Sequence, residues 1–324
     1  MTTSGPPQRS DAGLVHEAMP YLDHDQMGAA TSEYIRAALA RDQPVLVELP
    51  AEGMDRIRDL LGPDARRVRF GDLTQDGRNP ARIIPGVIHP FLEDHPGRRP
   101  AIVTEPVWPT RSAAEYAGCV EHEALVNLAF ADQDVSILCL YDLAALPSQA
   151  LADVERTHPA LREGQVARVS AGYMDPRTVL GTISRLQPET PADAERVDFT
   201  VVAQARHVAA EWGRRAGLTS DRLTDVLIAI SEVSGNSVAH AGDGGTVLCW
   251  QDSGSLVYEV RDGGHIEDLL AGRLPPPAEQ ESGRGLLMVN LLCDLVQMKS
   301  GPEGNVIRLW MTLPSNGGSH RHRI

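Results

Sequence analysis

The chain has 324 residues, about twice the length of a typical single domain, which predicts two domains. A hydrophobic fraction of 42 % excludes extended disorder, and a net charge of −14 disfavours a nucleic-acid binder, which needs a basic face. Four cysteines without a CxxC pair indicate a reducing compartment. The absence of a long apolar run or a signal-like start predicts a cytoplasmic protein without a membrane span.

Four strands are predicted in the first half, where short apolar runs are bounded by proline, glycine or charged residues. They lie at residues 45–49, 67–70, 101–104 and 135–141. Helices are predicted between them, at residues 54–61, in parts of 78–94 and at 113–131. Near-continuous apolar strands that alternate with helices are typical of a parallel sheet covered on both faces, so this half is predicted to be α/β.

The second half has a different order of elements. Helices are predicted at residues 200–216 and 220–241, strands at 246–251 and 256–261, a helix at 285–292 and a hairpin at 295–299 and 305–313. Two helices followed by an antiparallel sheet with one inserted helix indicate an α+β two-layer sandwich.

The predicted domain plan follows from this change of pattern. It comprises polar tails at 1–12 and 315–324, an α/β domain at 13–160, an aperiodic linker at 161–195 and an α+β domain at 196–314. His320 and His322 in the last tail could bind a metal, or they could belong to a disordered end.

Three local features of the second domain suggest one site. Glu232 and Asn236 lie one helical turn apart, on a different face from the apolar residues of the same helix. Asp262 and Gly264 follow a strand, where an Asp-Gly turn is the simpler explanation. Gly283, Arg284 and Gly285 open a helix, and backbone N–H groups at such a start bind phosphate.

These three motifs, in this order and spacing, resemble the GHKL ATPase/kinase superfamily and most closely the small anti-sigma-factor serine/threonine kinases, over about residues 196–314. The resemblance implies an ATP-binding (Bergerat) fold. Asn236 would hold Mg²⁺ on the phosphates, Asp262 would bind the adenine amino group, and Glu232 would act as general base. Gly283 and Gly285 would cradle the phosphates, and Gly264 and Arg284 would also belong to the cofactor site.

One position departs from the family pattern. The second glycine of the D-x-G-x-G box would be residue 266, which is Ile266 here. A stiffer base is therefore predicted for the lid at 265–281, which bears on turnover more than on binding. No segment resembles a phosphoacceptor-histidine dimerisation region, and we interpret His207 as structural.

The first domain contains an unusual set of polar residues and no Walker-type phosphate loop. On a helix, Cys119, Glu123 and Asn127 would stack on successive turns, and His122 lies three residues after Cys119. With His16 they could form a small metal or ligand site. The alternative is that Cys119 is a core residue and that His122 hydrogen-bonds within the domain.

The segments His16-Glu-Ala, Gly77 to Arg82, Glu105 to Pro109, His122 to Leu125 and Tyr141-Asp142 resemble the MEDS-type sensory domain, over about residues 13–160. That resemblance implies a RecA-like or Rossmann-like sandwich that senses a small molecule. Its candidate lining residues are His16, Glu105, Trp108, Cys119, His122 and Glu123.

The preferred hypothesis is a cytoplasmic regulator in which the sensory domain controls an ATP-dependent serine/threonine kinase of the anti-sigma type. Its expected partners are a sigma factor and an anti-anti-sigma (STAS-type) protein, with no direct nucleic-acid or membrane contact, and a homodimer is compatible with the sequence. The alternative is a non-catalytic ATP-binding switch. A metabolic enzyme in the first half lacks a recognisable nucleophile–base pair.

Overall fold

The computed structural model describes residues 13–183, 186, 188–242, 244–276, 280 and 283–314. The predicted tails, with His320 and His322, lie outside this part. The chain forms two compact units. The first comprises residues up to 76, 88–110 and 120–182, and the second comprises 77–87, 111–119 and the residues from 183 onward. None of the helices in the described part combines the length and apolar character that a membrane crossing requires.

The chain up to residue 182 alternates strands with helices, as the sequence predicts. The strands are β1 (Val15–Tyr21), β2 (Val45–Leu49), β3 (Val68–Asp72), β4 (Ala101–Thr104), β5 (Ser136–Asp142), β6 (Ala160–Glu163) and β7 (Val166–Val169). The helices are α1 (His24–Ala40), α2 (Ala51–Leu61), α3 (Leu73–Asp76), α4 (Pro80–Arg82), α5 (His89–Glu93), α6 (Ala113–Ala129), α7 (Gln149–Thr157) and α8 (Pro176–Thr182).

The first unit is built on a seven-stranded sheet with the order β3-β2-β4-β5-β1-β6-β7. Its strands are parallel except for β7, which runs antiparallel to β6. The predicted parallel sheet is therefore confirmed. Every residue of β2 and β4 is buried, which explains why these strands are almost continuously apolar.

The second unit is an α+β sandwich, also as predicted. Its elements after residue 182 are β8 (Glu195–Phe199), α9 (Val202–Ala216), α10 (Ser220–Asn236), β9 (Gly245–Asp252), β10 (Ser255–Asp262), α11 (Gly285–Leu292), β11 (Leu295–Gly301) and β12 (Gly304–Thr312). The five strands form an antiparallel sheet with the order β11-β12-β10-β9-β8. A π-helical turn at Ser237–Ala241 extends α10.

Residues of β10 alternate between the two faces of this sheet. Leu256, Tyr258 and Val260 belong to the core that α9, α10 and α11 share with the sheet. Val257 belongs to a second cluster, with Trp250 and Trp310. Both faces of the sheet are therefore packed, rather than one being left to solvent.

Glu259 also lies between these positions and is completely buried. Its carboxylate accepts hydrogen bonds from the guanidinium of buried Arg308, from Arg261 Nε at 2.6 Å and from Thr190 Oγ1 at 3.0 Å. Arg308 also donates to the carbonyl oxygen of Pro188 and, at 2.8 Å, to Thr190 Oγ1. This network ties residues 188–190 to β10 and β12.

Two segments from the first half of the sequence complete the second unit. Asn79 donates from Nδ2 to the carbonyl oxygen of Asn290 at 2.9 Å, and its Oδ1 accepts from the N–H of Val296 at 3.3 Å. Asn79 thus pairs with a carbonyl oxygen near the C-terminal end of α11, of the kind that a helix leaves unpaired, and with a backbone N–H of β11. Ala114, on the first turn of α6, joins the Trp250–Trp310 cluster.

The predicted domain plan differs from this arrangement in two respects. Residues 161–195 are not a continuous linker, because β6, β7 and α8 complete the first unit and β8 begins the second. The residues 77–87 and 111–119, assigned from sequence to the α/β domain, pack in the second unit. Short edge strands with little hydrophobic periodicity, such as the fully exposed β7, carry too weak a pattern to be recognised.

Candidate functional site

Helix α10 carries the two polar residues of the first predicted motif. Thr219 caps its start by accepting a hydrogen bond from the N–H of Arg222 at 3.4 Å. The residues Val226, Ile230 and Val233 are buried against the sheet, and this packing sets the rotation of the helix. Glu232 and Asn236 are consequently half-buried on another face, one turn apart.

The glycine loop before α11 approaches Glu232 closely. Gly283 has a φ of +95°, a conformation that favours glycine. A β-carbon added to Gly285 would lie 2.5 Å from Glu232 Oε2, so only glycine fits there without displacing the carboxylate. Within the described residues no side chain caps α11 by a hydrogen bond, which leaves its first N–H groups available to an anion.

A cavity of about 740 Å³ joins these features. Its lining includes five of the seven residues predicted for the nucleotide site, namely Glu232, Asn236, Gly283, Arg284 and Gly285. The volume is within the range of small-molecule and cofactor pockets. Lid residues from Asp268 to Pro276 supply much of the remaining wall.

Asp262 and Gly264 lie beside this lining rather than within it. Asp262 Oδ2 accepts from the hydroxyl of Ser237 at 2.7 Å, and Ser237 directly follows Asn236. Asp262 Oδ1 accepts from the N–H of Gly264 and from Nδ2 of Asn305, both at 2.8 Å. Three donors thus orient the carboxylate and occupy three of its roughly four acceptor positions, which leaves one for a ligand.

Ile266 is held from two directions. Its N–H donates to the hydroxyl of Ser300 at 2.8 Å, and its partly buried side chain packs against the core of the second unit. Farther along the lid, the carbonyl oxygen of Gly272 accepts from Asn290 Nδ2 at 2.8 Å. Both ends of the segment between these residues are therefore attached to the sandwich.

In the first unit, two of the six predicted sensory residues meet in a buried cluster of four. His16 Nε2 lies 3.1 Å from Glu123 Oε2, and Cys139 and His158 complete what we call the His–Glu–Cys cluster. Burial opposes ionisation of Glu123, whereas His158 and His16, when their Nε2 atoms carry protons, lower the pKa of its carboxyl well below the usual range. Burial and the charge of Glu123 raise the pKa of the Cys139 thiol.

The other four predicted residues lie outside the cluster. Buried Glu105 accepts a hydrogen bond from the hydroxyl of Tyr21 at 2.8 Å, and Trp108 is half-buried after β4. Cys119 is buried and belongs to the second unit, and His122 is buried on α6 in the first unit. A separate cavity of about 340 Å³ in the first unit is lined by other residues, among them Met19, Tyr21, Leu161 and Arg162.

Cys139 and His158 were missed because sequence spacing favoured nearer neighbours on α6. The signal that identifies them is the register of adjacent parallel strands. Ala18 pairs with Cys139, so His16, two residues before Ala18, shares a face with Cys139. His158 lies just before β6, on the other side of β1. Strand order and register are needed for this step, and the sequence pattern contains neither.

Burial raises the pKa of Glu105 to about 7 from 4.5, against the lowering effect of its hydrogen bond with Tyr21. The folded state therefore binds this proton more tightly than the unfolded state, and stability decreases as pH rises from about 4.5 to 7. Between these pH values, the free energy of unfolding of Glu105→Gln should fall by about 3 kcal/mol less than that of the unaltered protein. Denaturant unfolding at a series of pH values measures it, with exposed Glu52→Gln as the control. If the free energy of unfolding of Glu105→Gln depended on pH as steeply as that of the unaltered protein, the raised pKa of Glu105 would be wrong.

Comparison with known proteins finds one family match in each half of the chain. Residues 15–159 match the family model "MEDS: MEthanogen/methylotroph, DcmR Sensory domain", and residues 196–311 match that of the histidine kinase-like ATPase domain. No curated protein matches the chain. A solved structure of the RsbU and RsbW domains of a Mycobacterium tuberculosis protein is 21 % identical. The match covers 39 % of this chain and 34 % of that one, with a TM-score of 0.29, too low to carry an argument. The first part of the chain is therefore similar to MEDS sensory domains, and the C-terminal part is similar to histidine kinase-like ATPase domains.

Proposed function

We propose that the protein is an ATP-dependent serine/threonine kinase of the anti-sigma-factor type, and that its first unit, which matches the MEDS sensory domain, controls the kinase activity. The observation that carries this proposal is the convergence of Glu232, Asn236 and the Gly283–Gly285 loop on one cavity, in a domain of the GHKL ATPase family. In this proposal the partners are a sigma factor, which the protein binds, and a STAS-type anti-anti-sigma protein, which it phosphorylates.

Each residue has a role that its position supports. The first N–H groups of α11 and the backbone of Gly283 and Gly285 would bind phosphate oxygens, with Arg284 adding positive charge at the rim. Asn236 would offer its side-chain oxygen to Mg²⁺, which prefers hard oxygen ligands and neutralises charge on the phosphates when bound. Asp262 would accept the adenine amino group at its one open acceptor position.

Glu232 would accept the proton of the substrate hydroxyl. The hydroxyl oxygen then forms a bond to the γ-phosphorus, and the bond between that phosphorus and the bridging oxygen of ADP breaks. Since phosphoryl transfer depends mainly on positioning and charge neutralisation, one well-placed carboxylate and one anion-binding helix start are a sufficient protein contribution. The close approach of Gly285 to the Glu232 carboxylate supports this role, because the base would then lie beside the loop that would bind phosphate.

The function is tested by incubating the full chain with γ-labelled ATP and a panel of STAS-type proteins. Label on a serine or threonine of one of them supports the kinase. Nucleotide binding without transfer to any partner would instead support the non-catalytic switch. The two attachments of Ile266 favour that alternative, because they restrict movement of the lid.

Gly285→Ala is expected to weaken nucleotide binding by about 5-fold, because the added methyl group would displace the carboxylate end of Glu232 beside the glycine loop, a shift that costs about 1 kcal/mol. Its β-carbon would lie 2.5 Å from Glu232 Oε2, so the loop or the carboxylate must move. Titration with a fluorescent ATP analogue measures the effect. Gly235→Ala is the matched control, since a β-carbon there meets no atom within 4 Å. Equal affinities for the two variants would show that the loop does not bind nucleotide.

A further inference from the structure

The His–Glu–Cys cluster brings together four donor atoms from rigid elements of the first unit. His16 lies on β1, Cys139 on β5, Glu123 on α6, and His158 between α7 and β6. All four side chains are buried, and their donor atoms lie within 4.8 Å of one another. A site on packed strands and a helix is held more precisely than one on loops.

The hydrogen bonds around the cluster determine which nitrogen of each histidine carries a proton. Asn127 donates from Nδ2 to the carbonyl oxygens of Glu123 at 3.0 Å and Thr157 at 2.8 Å, so its Oδ1 faces His16 Nδ1 at 3.0 Å as an acceptor. His158 Nδ1 lies 3.0 Å from the carbonyl oxygen of Val154, which can only accept. Both Nδ1 atoms are therefore donors, and in the neutral rings both Nε2 atoms carry lone pairs.

These two Nε2 atoms face the same carboxylate oxygen. Glu123 Oε2 lies 3.1 Å from Nε2 of His16 and 3.4 Å from Nε2 of His158. Among the described residues, His158 Nε2 has no hydrogen-bond partner. Lone pairs and a carboxylate directed at one buried point repel each other unless a cation or a proton lies between them.

The spacing of the donor atoms fits a tetrahedral metal ion. Bonds of about 2.0–2.3 Å in a tetrahedral zinc site place the donor atoms about 3.3–3.8 Å apart. The two distances above are 3.1 and 3.4 Å, and Cys139 Sγ lies 3.4 Å from His16 Nε2 and 3.5 Å from Glu123 Oε2. The two remaining donor–donor distances are at most 4.8 Å, so side-chain movements of up to about an ångström would bring all four atoms to these spacings.

We propose that the first unit binds one divalent transition-metal ion of the Zn²⁺ class through His16 Nε2, Glu123 Oε2, Cys139 Sγ and His158 Nε2. Two neutral imidazoles, one thiolate and one carboxylate balance the charge of a dication, so no net charge is buried. Imidazole and thiolate donors favour Zn²⁺ and similar ions over Mg²⁺ or Ca²⁺. Three groups outside the ligand set orient these side chains. The side-chain oxygen of Asn127 and the carbonyl oxygen of Val154 face the Nδ1 atoms of His16 and His158, and the hydroxyl of Tyr141 donates to Glu123 Oε1 at 2.5 Å.

To test this proposal, the full chain is purified and refolded with Zn²⁺ in excess. Gel filtration then removes unbound metal, and elemental analysis measures the metal that stays with the protein. About one equivalent of metal per chain is expected, falling below about 0.1 in Cys139→Ser and in His158→Ala. Cys249→Ser, a buried cysteine of the second unit, is the matched control and should retain the metal. Replacing Zn²⁺ by Co²⁺ should give visible absorption bands with thiolate-to-metal charge transfer that Cys139→Ser lacks.

Two measurements keep the outcome decisive if a variant folds poorly. Retained binding of an ATP analogue reports that the second unit of each variant is intact. In the unaltered protein, removing the metal with a chelator should lower the melting temperature, and Zn²⁺ but not Mg²⁺ should restore it. Substoichiometric metal in the refolded protein, or full metal content in Cys139→Ser, would overturn the proposal. The first of these results would indicate that a proton joins the ring nitrogens to Glu123. Neither result bears on phosphoryl transfer in the second unit.

Discussion

Replacing Glu232 by glutamine is expected to lower the rate of phosphoryl transfer to a partner hydroxyl by about 10²–10⁴-fold, the usual contribution of a general base. Glutamine has nearly the same shape, so its contact with Gly285 is preserved, but its amide cannot take up a proton at pH 7. Because the phosphate loop and Asn236 are unchanged, the affinity for ATP should stay close to that of the unaltered protein. Single-turnover transfer from γ-labelled ATP measures the rate, and a fluorescent ATP analogue measures the affinity.

The matched control is Glu211→Gln, on the exposed surface of α9. It removes the same charge from the same unit without touching the cavity. If Glu232→Gln transferred phosphate as fast as this control, the general-base role of Glu232 would be wrong. If it lost nucleotide binding as well, Glu232 would be part of the binding site rather than the base.

Replacing Glu259 by leucine is expected to lower the free energy of unfolding by about 3–5 kcal/mol, because it leaves a buried charge without its counter-ion. Arg308 is 2 % exposed, and its other partners, the carbonyl oxygen of Pro188 and the hydroxyl of Thr190, are neutral. Denaturant unfolding followed by tryptophan fluorescence measures the loss, since the guanidinium carbon of Arg308 lies 5.2 Å from the ring centre of Trp250.

Two further variants separate the charge effect from simple loss of packing. The double variant Glu259→Leu/Arg308→Met should recover most of the stability, because it removes both charges and keeps apolar volume. Arg261→Ala, which removes the half-exposed partner of Glu259, should cost no more than about 1 kcal/mol. A double variant as unstable as Glu259→Leu would show that the pair contributes through shape rather than charge.

Hydrophobic periodicity was sufficient to predict both fold classes. The strands β2, β4 and β5 are continuous apolar runs because both faces of a parallel sheet are buried, and the same pattern located α10, α11 and the β11–β12 hairpin. The strands β1, β6, β7 and β8 were not predicted. Charged or polar residues interrupt β1 and β8, β6 is only half buried and β7 is exposed throughout, so none of them forms a continuous apolar run. The assignment of Asn79 to the second unit depends on hydrogen bonds to residues more than 200 positions away, which no local pattern encodes.

The two candidate sites differ in how far sequence could predict them. At the nucleotide site the residues are contributed by local motifs, and spacing along α10 alone places Glu232 and Asn236 on one face. In the first unit the site combines two strands, a helix and the connection between α7 and β6, all distant in sequence, so of the four residues only His16 and Glu123 were predicted as neighbours. Cys119, at the helical spacing from Glu123, was preferred to Cys139, which reaches the same carboxylate from β5.

The chain passes between the two units five times, the last time between residues 182 and 183. During synthesis, residues 77–87 and 111–119 leave the ribosome long before α11 and β12, which they contact, have been made. The first unit can fold while these two segments still lack their partners, and the second unit is completed only near the end of translation. A ribosome stalled before residue 285 should therefore carry a nascent chain whose first unit resists protease while residues 77–87 and 111–119 are cut.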